Sequence, residues 1–533
     1  MRPVETYRTG VAVLVALGGL AAGGSLMQRA ASAQETGSFD RAQLRRVAQI
    51  ISRRYVEEIP ADRVYRMAID GMLEELGDPN TSFIDVADAT DLEITTTGNY
   101  AGLGIRVQMV ADWVTVMSVI PGTPAEREGL LPGDRIVGID GKSVAGWEEV
   151  RVIERLRGEE GDPVRVSLGR FGLSEPVELV VTRENIHVPP VLAYRLDDQI
   201  GVVQLTSFSL EARAELKQAI ERLRDEGATR LIFDLRGNPG GLLEEGVAVS
   251  DLFLTRGTTI VTTASRVDDQ NYLFRSEHDP TFSDLPMAVL VDGTSASASE
   301  IVAGALQDHD RALVVGTPSF GKGSMQTVYA IPGGHHLKLT TANWFTPSGR
   351  SIQREHDLDG LPVATSDPAA IDATPVERPD TTGRKVYYTE GGRPVYGGGG
   401  IVPDVIVADS ATDSERRLGS ELKRQALSIR QLAFRFAVKW RAEHPDMTAD
   451  FVVTPEMRNR FLELLRDEEI GIDDAVYADV SKLIDRFLAV QLANTGFGEL
   501  ESLRRSHQGD PQFERAAELL RGAGSTEELL KTD

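Results

Sequence analysis

Between residues 187 and 407, apolar runs of strand length alternate with helical patterns, and this alternation constrains the fold more than any other feature of the chain. Residues 200–205 read as a strand and 211–226 as a helix. The pair recurs at 231–235 and 240–252, and again at 287–291 and 297–307, before a further strand at 312–315. Runs that are apolar throughout suit strands buried on both faces, and a helix after each returns the chain for parallel pairing. The region is predicted to be an α/β layer fold with a mostly parallel sheet.

The flanks have a different character. Residues 100–182 hold short β-branched runs broken by glycine, among them Val114-Thr115-Val116 and Val177-Glu178-Leu179-Val180-Val181; they predict a small β-rich module with one or two short helices. Residues 39–57 and 62–76 carry apolar positions at three- and four-residue spacing, an amphipathic-helix signature that Gly77-Asp78-Pro79-Asn80 ends. After residue 410 the pattern is helical and charged, with helices expected over 415–443, 455–467, 473–494 and 511–521. Residues 361–380, with several Pro, Ala, Asp and Thr, are expected to form a surface loop.

At the amino terminus Arg2 and Arg8 precede an apolar run over residues 11–27, and Ala31-Ser32-Ala33 follows. That is the layout of a secretory signal peptide, with an uncleaved membrane anchor as the lesser reading. The remainder is expected in the periplasm or another extracytoplasmic compartment. Cysteine is absent, which excludes disulfides and thiolate metal sites. A formal charge of −24 argues against nucleic acid, or an anionic membrane surface, as the main partner.

The segment Asp292-Gly293-Thr294-Ser295-Ala296-Ser297-Ala298-Ser299-Glu300-Ile301 sets serine among small residues where a strand turns into a helix. Amides at a helix start favour developing negative charge, as an attacked carbonyl requires. On local pattern alone, capping is the commoner role for Ser295, Ser297 and Ser299. Lys322 lies between Gly321 and Gly323 after the next apolar run. To act as a base it must be neutral, which needs burial to lower its pKa from about 10.4; an exposed turn lysine is the ordinary alternative. A serine–lysine pair is a variant of the triad logic and points to a peptidase. In Asp234-Leu235-Arg236-Gly237-Asn238-Pro239-Gly240-Gly241 a strand ends in a glycine-rich turn. Gly240 or Gly241 there can offer an N–H to an oxyanion, the alternatives being a simple turn or a phosphate cradle that lacks the P-loop lysine. His309, His335 and His336 leave a serine–histidine arrangement open, although neither G-x-S-x-G nor H-E-x-x-H occurs.

The glycine-rich turn and the serine and lysine segments fall in sequence with Gly77-Asp78-Pro79-Asn80-Thr81-Ser82-Phe83, Thr346-Pro347-Ser348-Gly349-Arg350 and the stretch from Arg393 to Val405. Together they resemble the carboxyl-terminal processing, or tail-specific, proteases of peptidase family S41. The resemblance implies a multidomain α/β protein: a leader or anchor (1–33), an N-terminal helical segment (34–97), a PDZ domain (98–184), an α/β, crotonase/ClpP-like peptidase core (185–408) and a helical C-terminal extension (409–533). It implies Ser297 as nucleophile, Lys322 as base and Gln326 as the group orienting the lysine. The Ala298 amide, with that of Gly240 or Gly241, would form the oxyanion hole, and Asp308 falls at an acidic position of auxiliary role. Tyr100-Ala101-Gly102-Leu103-Gly104-Ile105 resembles a PDZ carboxylate loop, so Gly102, Leu103, Gly104 and Ile105 would bind a substrate's tail. The implied activity is serine endopeptidase, without metal or organic cofactor, on exported proteins with free apolar C-termini. A homo-oligomer or an adaptor docked on the helical extension is a further expected partner. The rival reading is a non-catalytic PDZ scaffold or chaperone on an inactive peptidase fold.

Overall fold

The computed structural model describes residues 40–354, 383–407 and 411–531; the leader at 1–33 and the loop expected at 361–380 lie outside the described residues. The chain divides into two compact units, residues 1–83 and 84–533. In the first, helices α1 (Arg41–Arg54) and α2 (Ala61–Glu75) pack on each other. Asp40 starts α1 with a capping box: its carboxylate accepts the N–H of Ala42 at 2.8 Å and of Gln43 at 3.0 Å, while Gln43 Oε1 accepts the Asp40 N–H at 3.1 Å.

The second unit begins with the β-rich module. Strands β1 (Ile105–Val110), β2 (Trp113–Val119), β3 (Arg135–Ile139), β4 (Pro163–Gly169) and β5 (Val177–Thr182) pair antiparallel in that order, with helix α3 (Glu149–Leu156) between β3 and β4 in the chain. Alternate residues Val164, Val166 and Leu168 of β4 face inward with Val116 and Val152, as the period-two pattern requires. The chain enters and leaves the module through an antiparallel ribbon, Asn99–Gly102 paired with Glu184–His187.

The predicted α/β layer follows. Its sheet has the order β6 (Val191–Arg195), β7 (Ile200–Leu205), β8 (Arg230–Asp234), β9 (Met287–Val291), β10 (Leu313–Gly316), β13 (Val405–Ile406). All neighbours from β7 onward are parallel; β6 alone runs antiparallel to β7. Helices α4 (Ala212–Asp225), α5 (Leu243–Asp251) and α6 (Ala298–Asp308) follow β7, β8 and β9 in the chain. Strands β11 (Ser324–Ile331) and β12 (His335–Phe345) form a long hairpin that the sequence pattern did not suggest.

The uniformly apolar strands divide their side chains between two cores. Val203, Phe233, Val289 and Val314 join the core that contains α4–α6. Their neighbours Val202, Ile232, Leu290 and Val315 face Phe513, Ala517 and Leu520. Those three come from the C-terminal region, which comprises α7 (Asp413–Arg424), α8 (Ile429–Glu443), α9 (Pro455–Asp467), α10 (Asp474–Asp479), α11 (Ser481–Phe497), α12 (Glu499–Ser506) and α13 (Pro511–Gly522). Helix α13 thus covers the sheet's second face. Helices α7–α11 build a separate core around Leu432, Phe436, Trp440, Phe461 and Leu488. The single helix expected at 415–443 is broken between α7 and α8, where Ala426 takes φ +53° and Ser428 Oγ accepts the N–H of Arg430 to start α8. The one expected at 473–494 is likewise two, meeting at Val480.

Candidate active site

The serine segment is fastened to the glycine-rich turn by the serines beside Ser297. Ser295 Oγ donates to the Leu235 carbonyl and Ser299 Oγ to the Asn238 carbonyl, each at 2.9 Å, and both residues are fully buried. Ser297 is half-buried and adopts φ +54°, a region that costs a residue with a Cβ about 1–3 kcal/mol. The strain sits at the one strand-to-helix corner where the segment meets the turn.

The turn is shaped by Asn238. Its Nδ2 donates to the Leu205 carbonyl at 2.8 Å, its Oδ1 accepts the Gly240 N–H at 2.9 Å, and its carbonyl accepts the Ala296 N–H at 3.0 Å. Gly240 has φ +101°, and a Cβ there would stand 2.8 Å from Ser297 Cβ and 3.0 Å from the Ala298 nitrogen. Only glycine allows this approach. Gly241 bridges Phe208 through the Gly240 carbonyl and the Leu242 N–H, which leaves its own amide out of the pairing. Gly240, Gly241, Ala298 and Ser297 are thus neighbours.

The lysine loop crosses from β10 to β11. The Phe320 N–H donates to the Ser295 carbonyl at 3.0 Å, Gly323 N–H to Gln353 Oε1 at 2.9 Å, and Trp344 Nε1 to the Lys322 carbonyl at 3.1 Å. Lys322 is half-buried. The sequence reading overlooked the residue that joins the two loops, Glu300. It is fully buried, one turn into α6, and accepts Ser319 Oγ at 2.5 Å, Gly321 N–H at 2.7 Å, and the Ser297 and Lys322 N–H groups at 2.9 Å each. Burial pushes its carboxyl pKa up, and the donors from Ser319, Gly321, Lys322 and Ser297 oppose that rise. The signal was in the sequence: Ser297 and Glu300 have the S-x-x-E spacing of a capping box.

Gln326 lies on β11 at a register shift against β12, and its Nε2 donates to Ser324 Oγ at 3.0 Å and Thr340 Oγ1 at 3.2 Å. Asp308 ends α6, about 16 Å from Ser297 at 1.5 Å per residue. There it accepts Arg350 Nη2 at 2.8 Å and the Ser348 N–H at 3.0 Å, with the Arg350 and Asp308 side chains both buried. His309 caps the same far end, bonded to the Thr259 carbonyl at 2.7 Å and to Glu390 at 3.1 Å. His335 pairs with Asp85. Among the described residues, His187, Glu211 and Glu215 bring potential ligand atoms within 4.8 Å of one another, and His187 Nε2 lies 2.7 Å from Glu215 Oε1. In the β-rich module Gly102, Leu103 and Ile105 line a groove of about 260 Å³ with Ile153 and Leu156 of α3.

Three family models match this chain: Peptidase family S41 over residues 199–360, PDZ domain over 101–181, and Activating protease CtpB N-terminal domain over 21–88. The carboxy-terminal-processing protease of Bartonella bacilliformis is 41% identical over 319 residues, 58% of this chain and 73% of that protein. A probable CtpA-like serine protease of Staphylococcus aureus is 32% identical over 325 residues, 61% of this chain; the match spans 65% of its length. Among solved structures, the photosystem II D1 C-terminal processing protease is 28% identical with a TM-score of 0.35, over 62% of this chain and 96% of that one. A putative S41 protease from Bacteroides fragilis is 14% identical with a TM-score of 0.40, over 74% and 99%. The sequence matches carry the assignment: this chain belongs to the carboxy-terminal-processing proteases of peptidase family S41, with a PDZ domain ahead of the peptidase domain and a helical C-terminal part.

Proposed function

We propose that the chain is a serine endopeptidase that cuts exported proteins near their C-termini, with Ser297 as nucleophile and Lys322 as general base. The observation that carries this reading is the buried Glu300 carboxylate, which accepts backbone N–H groups from both residues and so fixes the two loops as one rigid unit. Ser297 Oγ attacks the scissile carbonyl and passes its proton to Lys322 Nζ; the ammonium then protonates the leaving amine, and water hydrolyses the acyl-enzyme. Gln326 orients the lysine in this scheme. The developing oxyanion takes the N–H of Ala298 at the start of α6. Its second donor is Gly241, because the Gly240 N–H is held by Asn238. Asp308, bonded to Arg350, is a structural support rather than an auxiliary acid.

The PDZ domain, taken as residues 98–184, receives the free tail at the Gly102–Ile105 loop and adds it as a strand. Residues 1–33 act as an export leader, so substrates are met outside the cytoplasm. The domain limits proposed are 34–97 for the N-terminal helical segment, 185–408 for the peptidase core and 409–533 for the C-terminal region.

The test uses the chain without residues 1–33, its Ser297→Ala and Lys322→Ala forms, and an unfolded reporter ending in a free apolar tail or an amidated one. Cleavage by the parent alone, faster on the free tail, is the expected result. Equal cleavage by either alanine form overturns the dyad. Tail binding without cleavage by any form favours the non-catalytic scaffold.

A further inference from the structure

The PDZ groove is lined by a side chain of the protein's own, Tyr100, beside the Gly102–Ile105 loop. The Leu103 carbonyl accepts the Ala125 N–H and the Gly104 carbonyl accepts the Ile120 N–H, each at 2.9 Å. In a trans peptide the N–H points opposite to the preceding C=O. With both carbonyls turned into the domain, the N–H groups of Gly104 and Ile105 face outward, as a carboxylate receptor requires.

Tyr100 stands in the same groove. It lies two residues before Gly102 on the ribbon strand, so the two share a face, and the absent side chain at Gly102 makes room for its ring. A Cβ on Gly102 would come 2.4 Å from Tyr100 Cε2, so the ring packs into the space that the missing side chain leaves. Tyr100 lines the groove together with Leu103, Ile105, Ile153 and Leu156, and the Arg157 guanidinium sits 5.8 Å from its ring centre. Burial pushes the phenol's pKa up and so holds its proton on, while Arg157 and the Gly104 and Ile105 amides pull it the other way.

We propose that the Tyr100 hydroxyl occupies the carboxylate site of the empty PDZ domain and competes with the C-terminal carboxylate of a substrate. A binding tail displaces it, and because Tyr100 belongs to the ribbon that ties the domain to the peptidase core, displacement moves the ribbon strand. Weak tails, unable to replace these contacts, are discriminated against. This rests on the tail-binding reading above.

The decisive variant is Tyr100→Phe, which removes one oxygen and keeps the ring on Gly102. Binding of fluorescein-labelled peptides with a free apolar C-terminus, and of their amidated twins, would be measured by anisotropy on the Ser297→Ala protein with and without Tyr100→Phe. The expected result is about three- to tenfold tighter binding of the free tail by the Phe form, the range of one hydrogen bond, with the amidated twin unchanged. Unchanged or weaker binding of the free tail overturns the proposal, weaker binding meaning that the hydroxyl helps to hold the carboxylate. If neither form distinguishes free from amidated tails, the tail-binding reading fails as well. Its failure is thus read from the parent protein and that of the Tyr100 proposal from the variant.

Discussion

Ser297 and Lys322 donate their backbone N–H groups to the same oxygen, Oε2 of Glu300, at 2.9 Å each. The two residues are separated by a whole helix, a strand and a loop, so neither local propensity nor strand pairing fixes their relative position. Glu300 does. Replacing it with glutamine leaves the volume but turns an amide NH2 toward some of the four donors. Glu300→Gln is expected to lower kcat about 100-fold, the order for a misplacement of about 1 Å at a reacting centre, with KM changed little. Steady-state kinetics on a tail-bearing substrate, with circular dichroism to verify folding, check this.

The same carboxylate predicts a pH dependence. Its pKa is raised in the folded protein, chiefly by burial. The native state therefore binds a proton more readily than the unfolded chain between the ordinary Glu value of about 4.3 and the raised native value. Glu300's contribution to stability is fully present below that window and is lost as pH rises through it. Activity runs the other way, because the donors need an unprotonated acceptor. Lowering the pH through the window is expected to reduce kcat while the Glu300 contribution to Tm rises. In Glu300→Gln that contribution to the Tm–pH profile disappears, and Tm titrations of both forms check it.

Gly240→Ala tests the approach of the turn to Ser297. The added methyl meets Ala296 O and Ser297 Cβ at 2.8 Å, both on a segment held by buried hydrogen bonds, and φ +101° adds strain. The segment has to shift by several tenths of an ångström. A loss of at least about 100-fold in kcat is expected, with peptide binding to the PDZ groove unchanged in an anisotropy titration.

Asp308→Ala separates a structural role from a catalytic one. It strips the fully buried Arg350 guanidinium of its carboxylate partner, and an uncompensated buried charge costs about 3–5 kcal/mol. Denaturant unfolding is expected to register that loss, whereas kcat per folded molecule changes less than about threefold, since about 16 Å separates Asp308 from Ser297. A large kcat loss at unchanged stability would return Asp308 to the active site.

How much of this was legible in the sequence follows from the range of each signal. Apolar runs gave the parallel strands because a strand buried on both faces has no other pattern, and the glycine-rich and serine motifs stood out as a candidate site because runs of small residues at strand ends are visible locally. The β11–β12 hairpin was missed: β11 exposes Val328 and Tyr329, and residues 335–341 are all half-buried, so no inward face stands out. Glu300 was passed over because its partners at Ser319, Gly321 and Lys322 come from another loop. The C-terminal helices were recognised as helices, yet an amphipathic stripe does not say what it covers.

That last point carries the final prediction. Helix α13 covers the peptidase sheet through Phe513, Ala517 and Leu520, and its N-cap Asp510 accepts Arg236 Nη1 at 2.7 Å. Arg236 is also held by Asp234, whose carboxyl lies well below the usual range because, against the cost of burial, the guanidinium and His507 stabilise its charge. Helix α13 therefore packs as part of the peptidase layer, and its N-cap braces the root of the glycine-rich turn. Leu520→Ala is expected to cost about 2–5 kcal/mol of stability, the range for a buried leucine. Asp510→Ala is expected to cost about 1.5–3 kcal/mol, the range of a charged hydrogen bond, and to lower kcat as the turn loosens. A chain ending before residue 499 is expected to be insoluble, because it exposes Ile232, Leu290 and Val315; a soluble, active truncation would mean the sheet's second face finds another cover.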